Sequence, residues 1–429
     1  MAEKSKLELE ETIEESVNMI KSRVGDSGKV IVLVSGGVDS MTTAALLLKA
    51  LPAENIYAIF VDHGFMRKNE SDFVCAHLEK SGFKNIMRAD AREKFAKALA
   101  NITEPEAKRE IIGALFIEVV KEAADTFNLD YAQTFIAQGT LKPDLIESAN
   151  TDLLGGDNKS ERIKTHHNDV DIVRRARAKG LIIETNWNWY KNDVRQVARM
   201  LGIDEEIASR QPFPGPGLAV RQICSDRSIV IDEDKKKRFE AAVENLNIKG
   251  LVAPILSVGV EKEARSYKNL AVLYGGGAEA DFEEVSEAAA GITDKLNFIN
   301  RCAYILNKKN IDGLKVSELT MAIENTELLR EIDYIITSEI SKWMKNTGNK
   351  ISQCFGVLIP VSSVEKKYSA VIRAFITNDF MTGRAAVPGK DIPVSVIRGI
   401  SERIEAELKN IDLVLYDMTN KPPATMEWE

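Results

Sequence analysis

The stretch Ser35-Gly36-Gly37-Val38-Asp39-Ser40 carries the chemistry most easily read from this chain. Adjacent glycines let a backbone turn tightly and approach a ligand, and the helical pattern that follows offers unpaired N–H groups at the positive end of a helix dipole. An anion of phosphate size fits there. Ser35 and Ser40 add hydroxyl donors, but the stretch lacks the lysine of a G-x-x-x-x-G-K-[ST] loop. Asp39 would repel phosphates unless a divalent cation stood between them, so it points to Mg2+ on a polyphosphate; the plainer account is a carboxylate favoured by the helix dipole.

Weaker candidates lie further along. In Gln138-Gly139-Thr140, Gly139 would allow close approach of a nucleotide, and Asp144 and Glu147 could hold a metal or the base, although polar loop chemistry explains them equally well. His166 and His167 lack a third metal ligand at suitable spacing and read as hydrogen-bond donors to phosphates. Lys108-Arg109 is either an anion clamp or a solvated face. The last residues, Lys421-Pro422-Pro423-Ala424-Thr425-Met426-Glu427-Trp428-Glu429, combine a cation, a hydroxyl, a carboxylate and a ring on a proline-stiffened segment. That combination suits capture of a phosphorylated base.

The elements that must position these groups follow from periodicity. Ile13, Val17, Ile20 and Val24 recur at helical spacing, and Gly25 ends that helix. Strands are expected at 30–34, 55–61, 84–89, 131–137 and 181–183, with helical patterns between most of them. Such alternation predicts an α/β fold, a doubly wound parallel sheet with helices on both faces and a site at its carboxyl edge. Residues 141–180 show little periodicity and read as a lid. Phe213-Pro214-Gly215-Pro216-Gly217 reads as a hinge, so a first domain is expected over 1–225 and a second over 226–429. Within the second, Leu256–Leu273 is echoed by Pro360–Phe375 and Ile299–Leu306 by Ile411–Met418, predicting two α+β copies at about 226–310 and 350–429, packed sheet beside sheet.

With 429 residues and 44% hydrophobic content the chain can bury a full core, and its net charge of -8 argues against a broad nucleic-acid or anionic-membrane surface. The four cysteines stand singly, as reduced thiols of a cytoplasmic protein would. No apolar run approaches membrane-spanning length.

SGGVDS after an apolar strand resembles the pyrophosphate loop (PP-loop) of the ATP pyrophosphatases, enzymes that split ATP into AMP and pyrophosphate. Together with FVDHG, KREIIG, AQGT followed by DLIES, IKTHHN, PFPGPGLAVR and KPPATMEWE, it makes Lys29 to Glu429 similar to the synthetase portion of the GMP synthases. The resemblance implies an adenine nucleotide alpha hydrolase-like first domain and a ligase that adenylates the 2-oxo group of XMP and lets ammonia displace AMP to give GMP. It assigns Ser35, Gly36, Gly37, Val38, Asp39 and Ser40, with Val61, Asp62 and Gly139, to ATP and pyrophosphate. Arg109, Glu263, Lys367, Lys421, Met426 and Glu427 go to XMP, and Asp39 with Asp144 to Mg2+. Asp39, Ser40, Lys164 and His166 are the catalytic candidates, the last two on the lid.

This sequence departs from the family's pattern at Gln211, where a histidine usually precedes PFPGPGL, and at Glu263, which replaces an aspartate. No cysteine sits in a glutaminase nucleophile turn, so the resemblance implies free ammonia or a separate glutamine amidotransferase subunit. The inner copy would occupy the surface that pairs short family members, which favours a monomer over a homodimer. Another PP-loop amide- or thio-forming ligase, such as NAD synthetase or a tRNA-thiolating enzyme, and a non-catalytic nucleotide-binding subunit remain the alternatives.

Overall fold

The structure, a computed structural model, describes residues 4–139, 176–186, 189–261, 264–377 and 382–429. The chain divides into two compact units, one of Met1–Phe95 with Arg109–Phe213, the other of Ala96–Lys108 with Pro214–Glu429.

In the first unit β1 (Val30–Leu33), β2 (Ile56–Asp62), β3 (Asn85–Asp90), β4 (Phe135–Gln138) and β5 (Ile182–Glu184) form one sheet in the order β3-β2-β1-β4-β5. Every pairing is parallel. The strand order reverses at β1, and a doubly wound sheet opens its ligand crevice at the carboxyl ends beside such a reversal. β1 and β2 are nearly all buried, which is why they read as continuous apolar runs rather than alternating ones. β4 is shorter than the sequence suggested, because residues 131–133 are spent on a turn.

The N-terminal helix Lys6–Val24 starts on a Ser5/Glu8 capping box and stops at Gly25, whose φ of 70° only glycine adopts cheaply. It buries Leu9, Ile13, Val17, Ile20 and Val24 in a core shared with the helix Val38–Ala50. Each such aliphatic side chain contributes about 1.5–3 kcal/mol by leaving water.

The second unit is built on two runs of the same plan. β6 (Lys249–Glu261), β7 (Ala264–Tyr274), the helix Phe282–Lys295 and β8 (Ile299–Ile305) make the first, and β10 (Gln353–Ile359), β12 (Tyr368–Ile376), the helix Val394–Glu407 and β14 (Ile411–Asp417) the second. In each run the first two strands pair antiparallel and the last two parallel, with a register shift where the parallel pairing begins, at Asn269/Leu270 and at Tyr368/Ser369. β8 and β14 then pair antiparallel, Tyr304 opposite Tyr416, and fuse the runs into one sheet ordered β10-β12-β14-β8-β7-β6. The halves are thus joined edge to edge by backbone hydrogen bonds within a continuous sheet. The strands at the joint are almost wholly buried, and the helix Ile323–Thr347 packs on β10. The short β9 (Lys315–Val316) and β11 (Val361–Ser362) pair separately, and β13 (Arg384–Ala385) flanks β12.

Candidate active site

Ser35 to Ser40 leave β1 at its carboxyl end and enter the helix Val38–Ala50. Gly36 has φ 76°, and a Cβ there would lie 2.6 Å from Val74 Cγ2, so the turn requires glycine on both backbone and packing grounds. Gly37 caps the helix without a side-chain bond, and the first helical backbone bond runs from Met41 N–H to its carbonyl at 3.1 Å. The preceding amides are therefore presented to an anion rather than to a capping side chain. Ser40 Oγ accepts from the Ser35 N–H at 3.1 Å and lies 3.2 Å from Ser35 Oγ, so the two hydroxyls are held side by side.

Lys191, the first residue of the helix Lys191–Met200, places its ammonium on Asp39 Oδ2. This supplies the cation that the loop itself lacks, from a distant part of the sequence where no local motif marks it. The other carboxylate oxygen, Asp39 Oδ1, is buried and has no hydrogen-bond partner. A buried, orphaned anionic oxygen is a hard donor of the kind that suits Mg2+. Among the described residues no group of three or more His, Cys, Asp or Glu side chains could hold a metal by itself.

The turn is braced from several sides. Arg210 donates to the Gly36 carbonyl at 3.2 Å and to Glu70 Oε1 at 2.8 Å, while burial lowers its guanidinium and Glu70 opposes that shift. Asn186 donates to the Asp39 carbonyl at 3.1 Å, and Thr43 Oγ1 lies 2.8 Å from Thr185 Oγ1. Gly139, at the end of β4, comes so close that a Cβ would stand 3.0 Å from the Asp39 carbonyl and from Thr43 Oγ1. The sequence reading named Gly139 and missed Lys191, Arg210, Glu70, Thr185 and Asn186.

Val61 and Asp62 end β2 at the same carboxyl edge, and both are buried. The Asp62 carboxylate accepts from Arg88 at 2.7 Å and from the Gly64 N–H at 3.1 Å, so it shapes the strand end. Arg109 is buried in the helix Pro105–Asp125. Asp144, Lys164, His166, His167 and Glu263, with most of the expected lid, lie outside the described residues.

In the second unit the terminal segment is ordered as a strap along β6. Val260 N–H donates to the Pro423 carbonyl at 2.8 Å and Val258 N–H to the Trp428 carbonyl at 3.0 Å. Lys421, Met426 and Glu427 are half-buried on this strap. Lys367 is not with them: it precedes β12 at the end opposite Ile376, where its carbonyl accepts from Ser317 Oγ at 3.0 Å. Lys108 is wholly buried, donating to Glu429 and, at 3.0 Å, to the Gln222 carbonyl. Burial pulls its ammonium down, but Glu429 more than offsets this and leaves it above the ordinary value. Burial pushes the Cys224 thiol up to about 11 and raises Cys75, Cys302 and Cys354 as well, so none of the four free thiols is primed as a nucleophile.

Comparison with known proteins decides the family. A subunit of the GMP synthase [glutamine-hydrolyzing] of Thermococcus kodakarensis is 32% identical to this chain, over 98% of this chain and 99% of that one. The chain belongs to the GMP synthase family. Within it, the GMP synthase [glutamine-hydrolyzing] of Dictyostelium discoideum is 34% identical over 98% of this chain, which spans 65% of the length of that relative. The family description "GMP synthase C terminal domain" matches residues 325–428 and "NAD synthase" matches residues 12–105. NMN synthetase from Francisella tularensis superposes with TM-score 0.35 at 15% identity, covering 53% of this chain and 81% of that one. No helix among the described residues is long and apolar enough to cross a membrane.

Proposed function

We propose that this chain is the synthetase subunit of a GMP synthase, an ATP-dependent carbon–nitrogen ligase that aminates XMP to GMP and releases AMP and pyrophosphate. The observation that carries this reading is the open helix N-terminus at Ser35–Ser40 with the orphaned Asp39 oxygen and Lys191 beside it. In a chain matched end to end by a relative that is itself named as one subunit of a GMP synthase, that geometry supports gripping the two outer phosphates of ATP.

The chemistry balances without a protein nucleophile. The 2-oxo oxygen of XMP attacks the α-phosphorus and pyrophosphate leaves; ammonia then adds at C2 and AMP departs with that oxygen. An oxo group is a poor leaving group, and the adenylyl ester makes its displacement feasible. The amides after Gly37 and the hydroxyls of Ser35 and Ser40 bind the departing pyrophosphate, and Lys191 moves from Asp39 onto its oxygens. Mg2+, held by Asp39 and in the second instance by Asp144, would neutralise phosphate charge. Arg109, Lys421 and Glu427, with Met426 against the base, hold XMP. Glu263 is a further candidate, whereas Lys367, at the opposite end of β12 from the strap, is not. Lys164 and His166 act from the lid, which excludes water from the adenylyl intermediate.

Ammonia arrives free or from a separate glutamine amidotransferase subunit. The reduced thiols favour a cytoplasmic setting. The edge-to-edge joining of the two runs, which satisfies β8 and β14 within one chain, favours a monomer over a homodimer.

The test is incubation with ATP, Mg2+, XMP and ammonium, with products separated. GMP, AMP and pyrophosphate in equal amounts are expected, with label from the 2-oxo oxygen of XMP recovered in AMP. ADP and orthophosphate would end this reading, and amidation of deamido-NAD in place of XMP would move the chain to the NAD synthetases.

A further inference from the structure

Arg301 on β8, Arg373 on β12 and Asp417 on β14 have no exposed surface, and β14 lies between the other two strands. Asp417 Oδ2 accepts from Arg301 at 2.7 Å and from Arg373 at 3.0 Å. Burying two cations on one carboxylate is costly unless their remaining N–H groups find other acceptors. For the terminal nitrogens those acceptors are backbone carbonyls, most of them on one short segment, while the buried Nε of each arginine has no hydrogen-bond partner. Arg301 donates to Glu427 at 2.8 Å, Thr425 at 3.3 Å and Val258 at 3.0 Å, and its guanidinium stacks 4.5 Å from the Trp428 ring centre. Arg373 donates to Thr419 at 2.5 Å and Thr425 at 3.4 Å. Asp417 Oδ1 receives the Thr419 N–H at 2.9 Å.

Sheet pairing alone asks for none of this. The strands already bond to one another, whereas the segment after β14 runs through two prolines that donate nothing. We infer that Arg301, Asp417 and Arg373 are positioning residues that hold the strap Thr419–Trp428 against β6, and that nucleotide binding by the strap depends on them. Holding the Glu427 carbonyl fixes where its carboxylate starts from. Holding Thr419 sets Lys421 two residues on. A guanidinium suits position 301 because its planar fork sets Nη1 on the carboxylate and Nη2 among three carbonyls, a spread over two nitrogens that the single nitrogen of an ammonium cannot match.

The inference rests on the proposed role of the strap in taking XMP, so its test has one arm that needs no turnover. Arg301→Lys keeps the charge and loses the fork. The variant should raise the KM for XMP about tenfold and leave that for ATP within about twofold, because only one substrate is held by the strap. Amide hydrogen exchange at Val258 and Val260, which donate to the strap, should quicken about tenfold while Val357 on β10 is unchanged. Arg301→Met, which removes the charge as well, should be worse in both readouts; if it does not fold, the lysine variant still decides. An unchanged KM for XMP despite faster exchange at Val258 and Val260 would overturn the inference. So would exchange rising equally at Val357, which would make the cluster a sheet clamp. A wild type that leaves XMP untouched would sink the proposed reaction, while the exchange arm would still report whether the cluster holds the strap.

Discussion

The ammonium of Lys191 rests on one oxygen of Asp39 and leaves the other, buried, with no hydrogen-bond partner. A cation and a half-satisfied carboxylate are thus stored together in the first turn of the helix Val38–Ala50. Bound phosphates would draw Lys191 off, and the carboxylate would turn to a metal. Asp39→Asn keeps the shape and removes the charge, and should abolish pyrophosphate release. Lys191→Met should lower kcat/KM for ATP about 10²–10³-fold, the scale for losing one charged contact to a transition state. A Lys191→Met enzyme of normal activity in a pyrophosphate-release assay would remove that role.

Gly36 should tolerate nothing larger. Its positive φ and the 2.6 Å approach to Val74 mean that Gly36→Ala adds strain of about 1–3 kcal/mol. Relief requires the turn to shift away from Arg210. A lower denaturant midpoint with a raised KM for ATP is expected, and an unaltered KM would show that the turn conformation does not serve phosphate binding.

The buried pair Lys108–Glu429 should behave asymmetrically. Removing one member leaves an uncompensated buried charge, so Glu429→Gln is expected to cost about 3–5 kcal/mol. Lys108→Met combined with Glu429→Leu should recover most of it. Urea unfolding of the two variants checks this, and equal losses would mean that packing rather than charge dominates.

Asp412 gives the acid limb a definite sign. Its carboxylate receives Lys308 at 2.6 Å and the Ser363 N–H and Oγ at 2.7 Å, and these outweigh the opposing effect of burial to hold it below the usual range. A depressed folded value stabilises above the unfolded value of about 3.9 and is lost as pH falls through the folded one. Wild type should therefore exceed Asp412→Asn in unfolding midpoint at pH 6. The gap should start to shrink below about pH 3.9 and close once the folded carboxylate is protonated as well. A gap independent of pH would show that the contacts matter without the charge.

Much of the fold was legible because its information is local. Val30–Val34, Gly36 and the apolar stripe of the first helix each act within a few residues, through strand burial, left-handed backbone and helical period. The carboxyl edge of the sheet and the glycine turn between β1 and its helix followed from that order alone. The echo between the 299–306 and 411–418 stretches was readable too, since equivalent strands face equivalent surroundings.

What the sequence determined by itself was which segments could carry chemistry: the glycine turn after β1 and the proline-stiffened terminal segment. Only the tertiary structure decided which charges meet. Lys191 reaches Asp39, Lys108 reaches Glu429, and Arg301 and Arg373 share Asp417 because strand pairing and helix packing bring remote positions within a few ångströms. Nothing in a lysine's neighbours along the chain records that encounter. The same holds for Lys367, which stands just before β12 at the end opposite the strap, since strand direction, absent from residue type, sets which end of a sheet a residue occupies.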